Sequence, residues 1–414
     1  MNVRRRAAVL AATAVIGTAA PAVAASPSPS PSAVIPEGLY GSGDPTYDGV
    51  WRQSSALLAQ HTVGVDPAEK ALTWLVGQQC ANGAFPAFRA DTTKACDAKV
   101  TVDTNSTAVA VQALSTLTIS YDAQVKKAVT WLKSVQNKDG GWGYMPGGAS
   151  DANSTSVVIG ALAEAGVTIP NLHNKEGKTP IDALLKLALP CDGPDAGAFA
   201  YQPDKKGKLT ANADATAAAV LGAYGETLVG SPQDDAESPA DCKQTNDDGL
   251  ADEAGAGGAA WLAKTLAKDG YLKSVLPGAE DQPDYGNTAD AVVALASAGF
   301  NDQAAASLRW LEGHALKWAE QSGPAAYAQL ILAADVAKGG DVHDFGGKDL
   351  VTLLNATGPT PERINTMPTA SASTTDASDE NDGALTVAWT VGGGLLLGAL
   401  IGSALMLRGR KRGQ

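Results

Sequence analysis

Histidine and cysteine number only four each in 414 residues. His61, His173, His314 and His343 are scattered without ligand spacing, and Cys80, Cys96, Cys191 and Cys242 include no CxxC pair, so no resident metal or cofactor is expected. Basic residues are also short, 31 against 44 acidic, which excludes a nucleic-acid surface and reads as solubility outside the cell. Aromatic residues make up 5% of the chain, few for a cavity that guides cations with ring faces. The acidic stretch Gln233 to Glu253 contains Asn246-Asp247-Asp248 but lacks the ligand spacing of an EF-hand loop, so calcium is not expected there.

What is present at the two ends sets the compartment. Residues 1–25 carry Arg4-Arg5-Arg6, an apolar core and Ala22-Val23-Ala24, the pattern of a secretory signal. Residues 26–35 are a Ser/Pro spacer and 358–383 a low-complexity stalk. Residues 384–407 hold no charge over a length that spans a bilayer, and residues 408–414 hold Arg408, Arg410, Lys411 and Arg412, which the positive-inside bias places in the cytoplasm. The expected location is therefore the cell membrane, single-pass, with the ectodomain outside. Without the basic residues of leader and tail, 24 basic face 44 acidic residues, a net charge near −20. An oxidising exterior makes disulfides the natural state of the four cysteines. Spacing favours Cys80 with Cys96, leaving Cys191 to bracket the third repeat with Cys242.

Residues 36–357 are built on one recurring unit, clearest from Trp131 to Gly166. Trp131, Leu132 and Val135 mark one side of a short amphipathic helix that Asp139-Gly140-Gly141 stops, and Trp142 follows as a plug. Asp151-Ala-Asn153-Ser-Thr155 then opens a nearly unbroken small and apolar run, Val157 to Ala165, which must be buried on all sides. The unit recurs through Asp103-Thr-Asn105-Ser-Thr107, Asn212-Ala-Asp214-Ala-Thr216 and Asp284-Tyr-Gly-Asn287-Thr288, each with a small residue six positions after the Thr. Inner helices are expected to start near Tyr47, Asn105, Asn153, Asp214, Asn287 and Pro324, and outer ones near Pro67, Asp122, Pro180, Ala256, Asp302 and Lys348. The prediction is an all-α domain, an α/α toroid of six inner and six outer helices, with a C-terminal transmembrane helix. Trp74, Trp131, Trp261 and Trp310 recur at one point of the repeat and read as packing, while Trp142, Tyr201, Tyr271 and Tyr285 read as loop plugs.

Gln136-x-x-x-Gly140-Gly141-Trp142 resembles the QW motif of the prenyltransferase and squalene cyclase repeat. The resemblance implies the toroid shared by terpene cyclases, protein prenyltransferase β subunits, complement-type thioester domains and cobalamin carriers similar to intrinsic factor and transcobalamin. Class II cyclases use Asp-x-Asp-Asp-Thr-Ala with a protonated middle Asp. Here Asn105 and Asn153 stand at that position, while Asp214 keeps the acid but is flanked by Asn212 and Ala215, without a local carboxyl cluster. No Cys sits where the prenyltransferase zinc site needs one, and no Cys-Gly-Glu-Gln thioester segment occurs. These departures lean against catalysis.

The leading expectation is therefore binding. Asp103, Asn105, Thr107, Asp151, Asn153, Thr155, Asn212, Asp214, Thr216, Asp284 and Asn287 would ring one mouth and hydrogen-bond a large polar ligand, with a corrinoid (cobalamin) as the specific choice. The same residues suit N-caps, and both roles can hold at once. Because the carriers close a second domain over the ligand, a lid-bearing partner chain or a membrane transporter is expected as well. The alternatives are an isoprenoid enzyme with Asp214 as its acid, and a structural or protein-interaction ectodomain.

Overall fold

The computed structural model describes residues 35–117, 120–236, 250–275 and 281–364, all within the second of the two units into which the chain divides, Ile35–Gln414. Its helices are α1 (Gly49–Thr62), α2 (Glu69–Gly77), α3 (Thr104–Thr116), α4 (Asp122–Ser134), α5 (Ala152–Glu164), α6 (Pro180–Leu185), α7 (Ala213–Tyr224), α8 (Leu250–Leu266), α9 (Tyr285–Ser297), α10 (Asn301–His314), α11 (Leu316–Ser322), α12 (Pro324–Val336) and α13 (Leu350–Asn355). Each inner helix packs on the next in the order α1, α3, α5, α7, α9, α12, and α12 closes the ring against α1. The outer helices α2, α4, α6, α8, α10 and α13 each pack on the inner helix before them, so the described residues form the expected α/α toroid.

Composition decides which helix goes where. In α3 every residue from Thr104 to Leu114 is buried, whereas α4 buries only Ala128, Trp131 and Leu132. Small residues let inner helices touch neighbours on several sides; the amphipathic outer helices need one covered stripe. Helix α8 begins at Leu250, ahead of the expected Ala256. Its glycines do not end it because they are contact points: a side chain at Gly255 or Gly258 would run into Tyr224 or Val220 of α7. Helix α11 was not anticipated; it fills the connection from α10 to α12.

The repeat turn works as a clamp. Gln136 Nε2 donates to Gly140 O at 2.7 Å, and Trp142 Nε1 donates to Leu132 O at 2.8 Å. Phe85, Trp142 and Phe199 occupy equivalent plug positions and are fully buried. Each plug's backbone N–H is taken by the repeat Thr: Phe85 by Thr107 at 2.9 Å, Trp142 by Thr155 at 3.1 Å, Phe199 by Thr216 at 2.9 Å, and likewise Leu272 by Thr288 at 3.0 Å. Thr155→Val keeps the shape but leaves the Trp142 N–H buried without an acceptor. It is expected to cost about 2 kcal/mol in a denaturant titration, whereas Thr155→Ser should cost less than about 1 kcal/mol.

Cys80 and Cys96 form a disulfide with Cα atoms 5.6 Å apart, as spacing favours. Cys242, the partner expected for Cys191, lies outside the described residues. So do the signal (1–25), residues 26–34 of the spacer, the stalk beyond residue 364, the apolar segment 384–407 and the basic tail 408–414. Among the described residues no helix is long and apolar enough to cross a membrane.

Candidate functional site

The first turns of the inner helices divide the expected polar ring into two groups. Asp103, Asp151, Asn212 and Asp284 are N-caps, accepting the backbone N–H of Ser106 at 2.6 Å, Ser154 at 2.7 Å, Ala215 at 2.8 Å and Asn287 at 3.2 Å. Thr107, Thr155 and Thr216 face their plugs. These seven side chains are consumed by the fold. Asn105, Asn153 and Asp214 lie two residues past their caps, and Asn287 lies three past Asp284. The carbonyl oxygens of Asn105, Asn153 and Asn287 are buried without a hydrogen-bond partner.

Asp214, on the first turn of α7, accepts from Asn153 Nδ2 of α5 at 2.7 Å. Across a narrow cavity stands Asp290, one turn into α9, whose two carboxyl oxygens each accept from Gln329 Nε2 of α12 at 3.1 Å. Burial, then the Asp290 charge, push the Asp214 carboxyl up to about 8; Asp284 and Asp151 add to the rise and Asn153 opposes it. Burial, reinforced by Asp284 and opposed by Gln329, pushes Asp290 up to about 7. Asp214 and Asp290 are half-buried, and both line the cavity. Burial likewise raises the caps Asp103 and Asp151 to about 6 each, against the N–H groups they accept. With Asp214 raised to about 8, its carboxyl is mostly protonated at neutral pH, a proton donor facing the cavity.

The cavity is small, about 30 Å³, and runs between α3, α5, α7 and α9. Its floor is the strand of chain Glu226-Thr227-Leu228. That strand is pinned by Leu228 N–H donating to Gln112 Oε1 at 3.0 Å, and Gln112 Nε2 donates in turn to Val157 O at 3.0 Å. Of the residues that build this site, sequence reasoning reached Asn153 and Asp214 and missed Asp290, Gln112 and Gln329. A signal for each existed: each interrupts a run of small and apolar residues within its helix, where an unpaired polar group is costly. The carboxyl cluster absent from the Asn212–Thr216 segment is supplied in space, by α9.

Residues 51–199 match the prenyltransferase alpha-alpha toroid domain. An 82-residue segment is 35% identical to a drimenyl diphosphate synthase of Streptantibioticus cattleyicolor, covering 20% of this chain and 14% of that protein. Among solved structures, a protein from Actinoplanes is 15% identical with a TM-score of 0.45, over 73% of this chain and 94% of that one. A type II terpene cyclase from Scytonema, in complex with geranylgeranyl dihydroxybenzoate, is 17% identical with a TM-score of 0.30, over 67% of this chain and 81% of its own. The domain match and the synthase relative overturn the corrinoid-receptor reading in favour of the isoprenoid enzyme set beside it. The physical reason lies in the mouth: most of the ring expected to grip amide arms is spent on capping helices and clamping plugs.

Proposed function

We propose that the toroid is an enzyme acting on an isoprenoid, in which Asp214 protonates a carbon–carbon double bond. The observation that carries this reading is the Asp214 and Asp290 pair facing one buried cavity, with Asp214 raised to about 8 by burial first and the Asp290 charge next. A carboxylic acid that stays neutral at pH 7 has a proton to give, and an apolar surround makes an alkene an acceptable base only when no water competes. When the proton leaves, Asn153 Nδ2 already points at the carboxylate and holds it, while the anionic pair faces the carbocation just formed. The step as drawn draws on no cofactor.

A cavity of about 30 Å³ takes one end of such a substrate and not its length, so the chain must lie outward along the mouth or displace the Glu226–Leu228 floor. The 35% identity with a drimenyl diphosphate synthase favours an isoprenoid over other alkenes. We place the reaction outside the cell, on an exported domain held by the 384–407 segment. The test is to incubate the purified protein in D₂O buffer with prenols and prenyl diphosphates of ten to twenty carbons and analyse products by mass spectrometry. One solvent deuterium per product, bound to carbon, is expected; unchanged substrates throughout the series would reject the reading.

A further inference from the structure

The ring of inner helices is filled at one end by its own chain. After α7 stops at Tyr224, the chain runs into the ring, and Glu226, Thr227 and Leu228 line the Asp214 cavity from below. This floor reaches α3, where Leu228 N–H donates to Gln112 Oε1 at 3.0 Å, and it reaches α5, where a Cβ at Gly160 would lie 2.5 Å from Glu226 O. Gln112 and Gly160 each stand in the third turn of their helix, so the floor lies inside the ring and not across its rim. Val157, Ala217, Leu221 and Val293 form an apolar wall around it, a surface that a hydrocarbon chain would cover if the floor were gone.

The floor is held as a movable part is held. Residues 226–229 form neither helix nor strand, and none of them is buried, although Gln112 and Val157 beside them are. Gly225 and Gly230 bracket the segment at φ +71 and +68, a region glycine enters without penalty. Beyond Gly230 the chain is fixed to α9: Ser231 N–H donates to Ser297 Oγ at 3.1 Å, and Gln233 N–H donates to Ala296 O at 3.1 Å. Apart from the backbone bond of Glu226 N–H to Leu221 O that ends α7, two side-chain bonds tie the floor down. These are the Leu228–Gln112 bond and the Ser231 hydroxyl donating to the Glu226 carboxylate at 2.8 Å. Segments with few buried contacts are the ones that open locally, and water serves their polar groups once they do.

We propose that residues 226–229 are a displaceable floor, which leaves the ring so that a hydrocarbon chain lies along the lumen from Asp214 toward the far end. The cavity of about 30 Å³ is then the closed state, too small for the length of a chain, and the departing residues vacate far more space than it holds. The chain as occupant rests on the isoprenoid reading above; the movement of the floor rests on its own contacts. Because only the open state takes the chain, the apparent affinity is the intrinsic one reduced by the open fraction. Loosening the floor therefore tightens binding by the factor that it adds to opening.

Hydrogen exchange read by mass spectrometry follows the floor amides, with geranylgeraniol as the probe and equilibrium dialysis as the measure of its affinity. In the native protein, geranylgeraniol is expected to speed exchange of residues 226–229 at least about tenfold while α5 and α7 exchange no faster. Ser231 does not line the cavity, so Ser231→Ala loosens the Glu226 tie without touching the occupant. Without the probe it should speed floor exchange about threefold, and it should tighten geranylgeraniol binding by the same factor. Gln112→Met, which removes the Leu228 bond at similar volume, should do both about fivefold; if it does not fold, Ser231→Ala decides alone. Bound geranylgeraniol with floor amides unchanged or slowed overturns the proposal. So does a loosened floor with no gain in affinity, floor exchange unmoved in the folded variants, or no binding by the native protein and the variants alike. Geranylgeraniol bound over an open floor with no deuterium gained from D₂O removes the acid and leaves the floor standing. Turnover over a floor that stays in place does the reverse.

Discussion

Asp214→Asn is expected to remove isoprenoid turnover by at least about 10³-fold while leaving the protein folded. The substitution keeps an oxygen for Asn153 Nδ2 to donate to at the present 2.7 Å, so the α5–α7 contact survives, but an amide has no proton to transfer to an alkene. A variant that retained more than a tenth of native turnover would sink Asp214 as the acid. In the native protein, activity should decline as pH rises through about 8, where the Asp214 carboxyl, raised by burial first and then by the Asp290 charge, loses its proton. Asp290→Asn removes that neighbouring charge. It should move the decline to lower pH and leave the substrate's KM nearly unchanged.

Stability separates the acid's chemistry from its place in the fold. A carboxyl raised from its usual value near 4 to about 8 binds more protons folded than unfolded throughout that window. The slope of unfolding free energy with pH is then negative: stability is full below about pH 4, falls as pH rises toward 8, and levels off above. Each such group contributes up to about 1.4 kcal/mol per pH unit. Asp214→Asn takes away one contributor, so the variant is expected to match the native protein at pH 4 and to exceed it at pH 8. Lower activity with higher alkaline stability is the signature of a group kept for chemistry at the expense of packing. A variant less stable than native at pH 8 would mean that the carboxyl is structural.

That trade explains what could and could not be read from the chain. The four caps were legible because capping is local: Asp103 and Ser106 are three residues apart, and the same offset serves Asp151, Asn212 and Asp284. Ring closure was legible too, because a helix with a small residue six positions after each Thr has no polar face to show water. The acid pair was not, since Asp214 and Asp290 belong to different repeats and meet only when α7 packs on α9. A local motif search finds Asn212 and Ala215 beside Asp214 and reads the cluster as lost. The threonines misled for the opposite reason. Thr107, Thr155 and Thr216 sit beside mouth residues in sequence, yet a helix turn later they face outward to the plugs, where a hydroxyl is both acceptor and donor for backbone.

Gly140→Ala is expected to be the most damaging single methyl group in the repeat, at about 4 kcal/mol. Gly140 has φ +98, a region that costs a residue with a Cβ roughly 1–2 kcal/mol. The larger part is contact: a Cβ here would lie 2.0 Å from Thr179 O and 2.7 Å from Thr179 C. That backbone cannot retreat cheaply, because Thr179 and Asp182 form the capping box that starts α6. The same arrangement recurs where Gly83 meets Lys127 O at 2.3 Å and Gly197 meets Gly257 O at 2.6 Å, so the turn glycine is what lets each repeat seat against the next outer helix. Gly147→Ala is the control. Gly147 also has positive φ, +77, but nothing lies within 4 Å of where its Cβ would stand, so it should lose only the backbone share, about 1 kcal/mol. Denaturant midpoints of the two variants, measured side by side, divide strain from contact. Equal losses would show that repeat-to-repeat seating contributes nothing and that the glycine serves its own turn alone; a difference near 3 kcal/mol would locate the toroid's register in this one carbonyl contact.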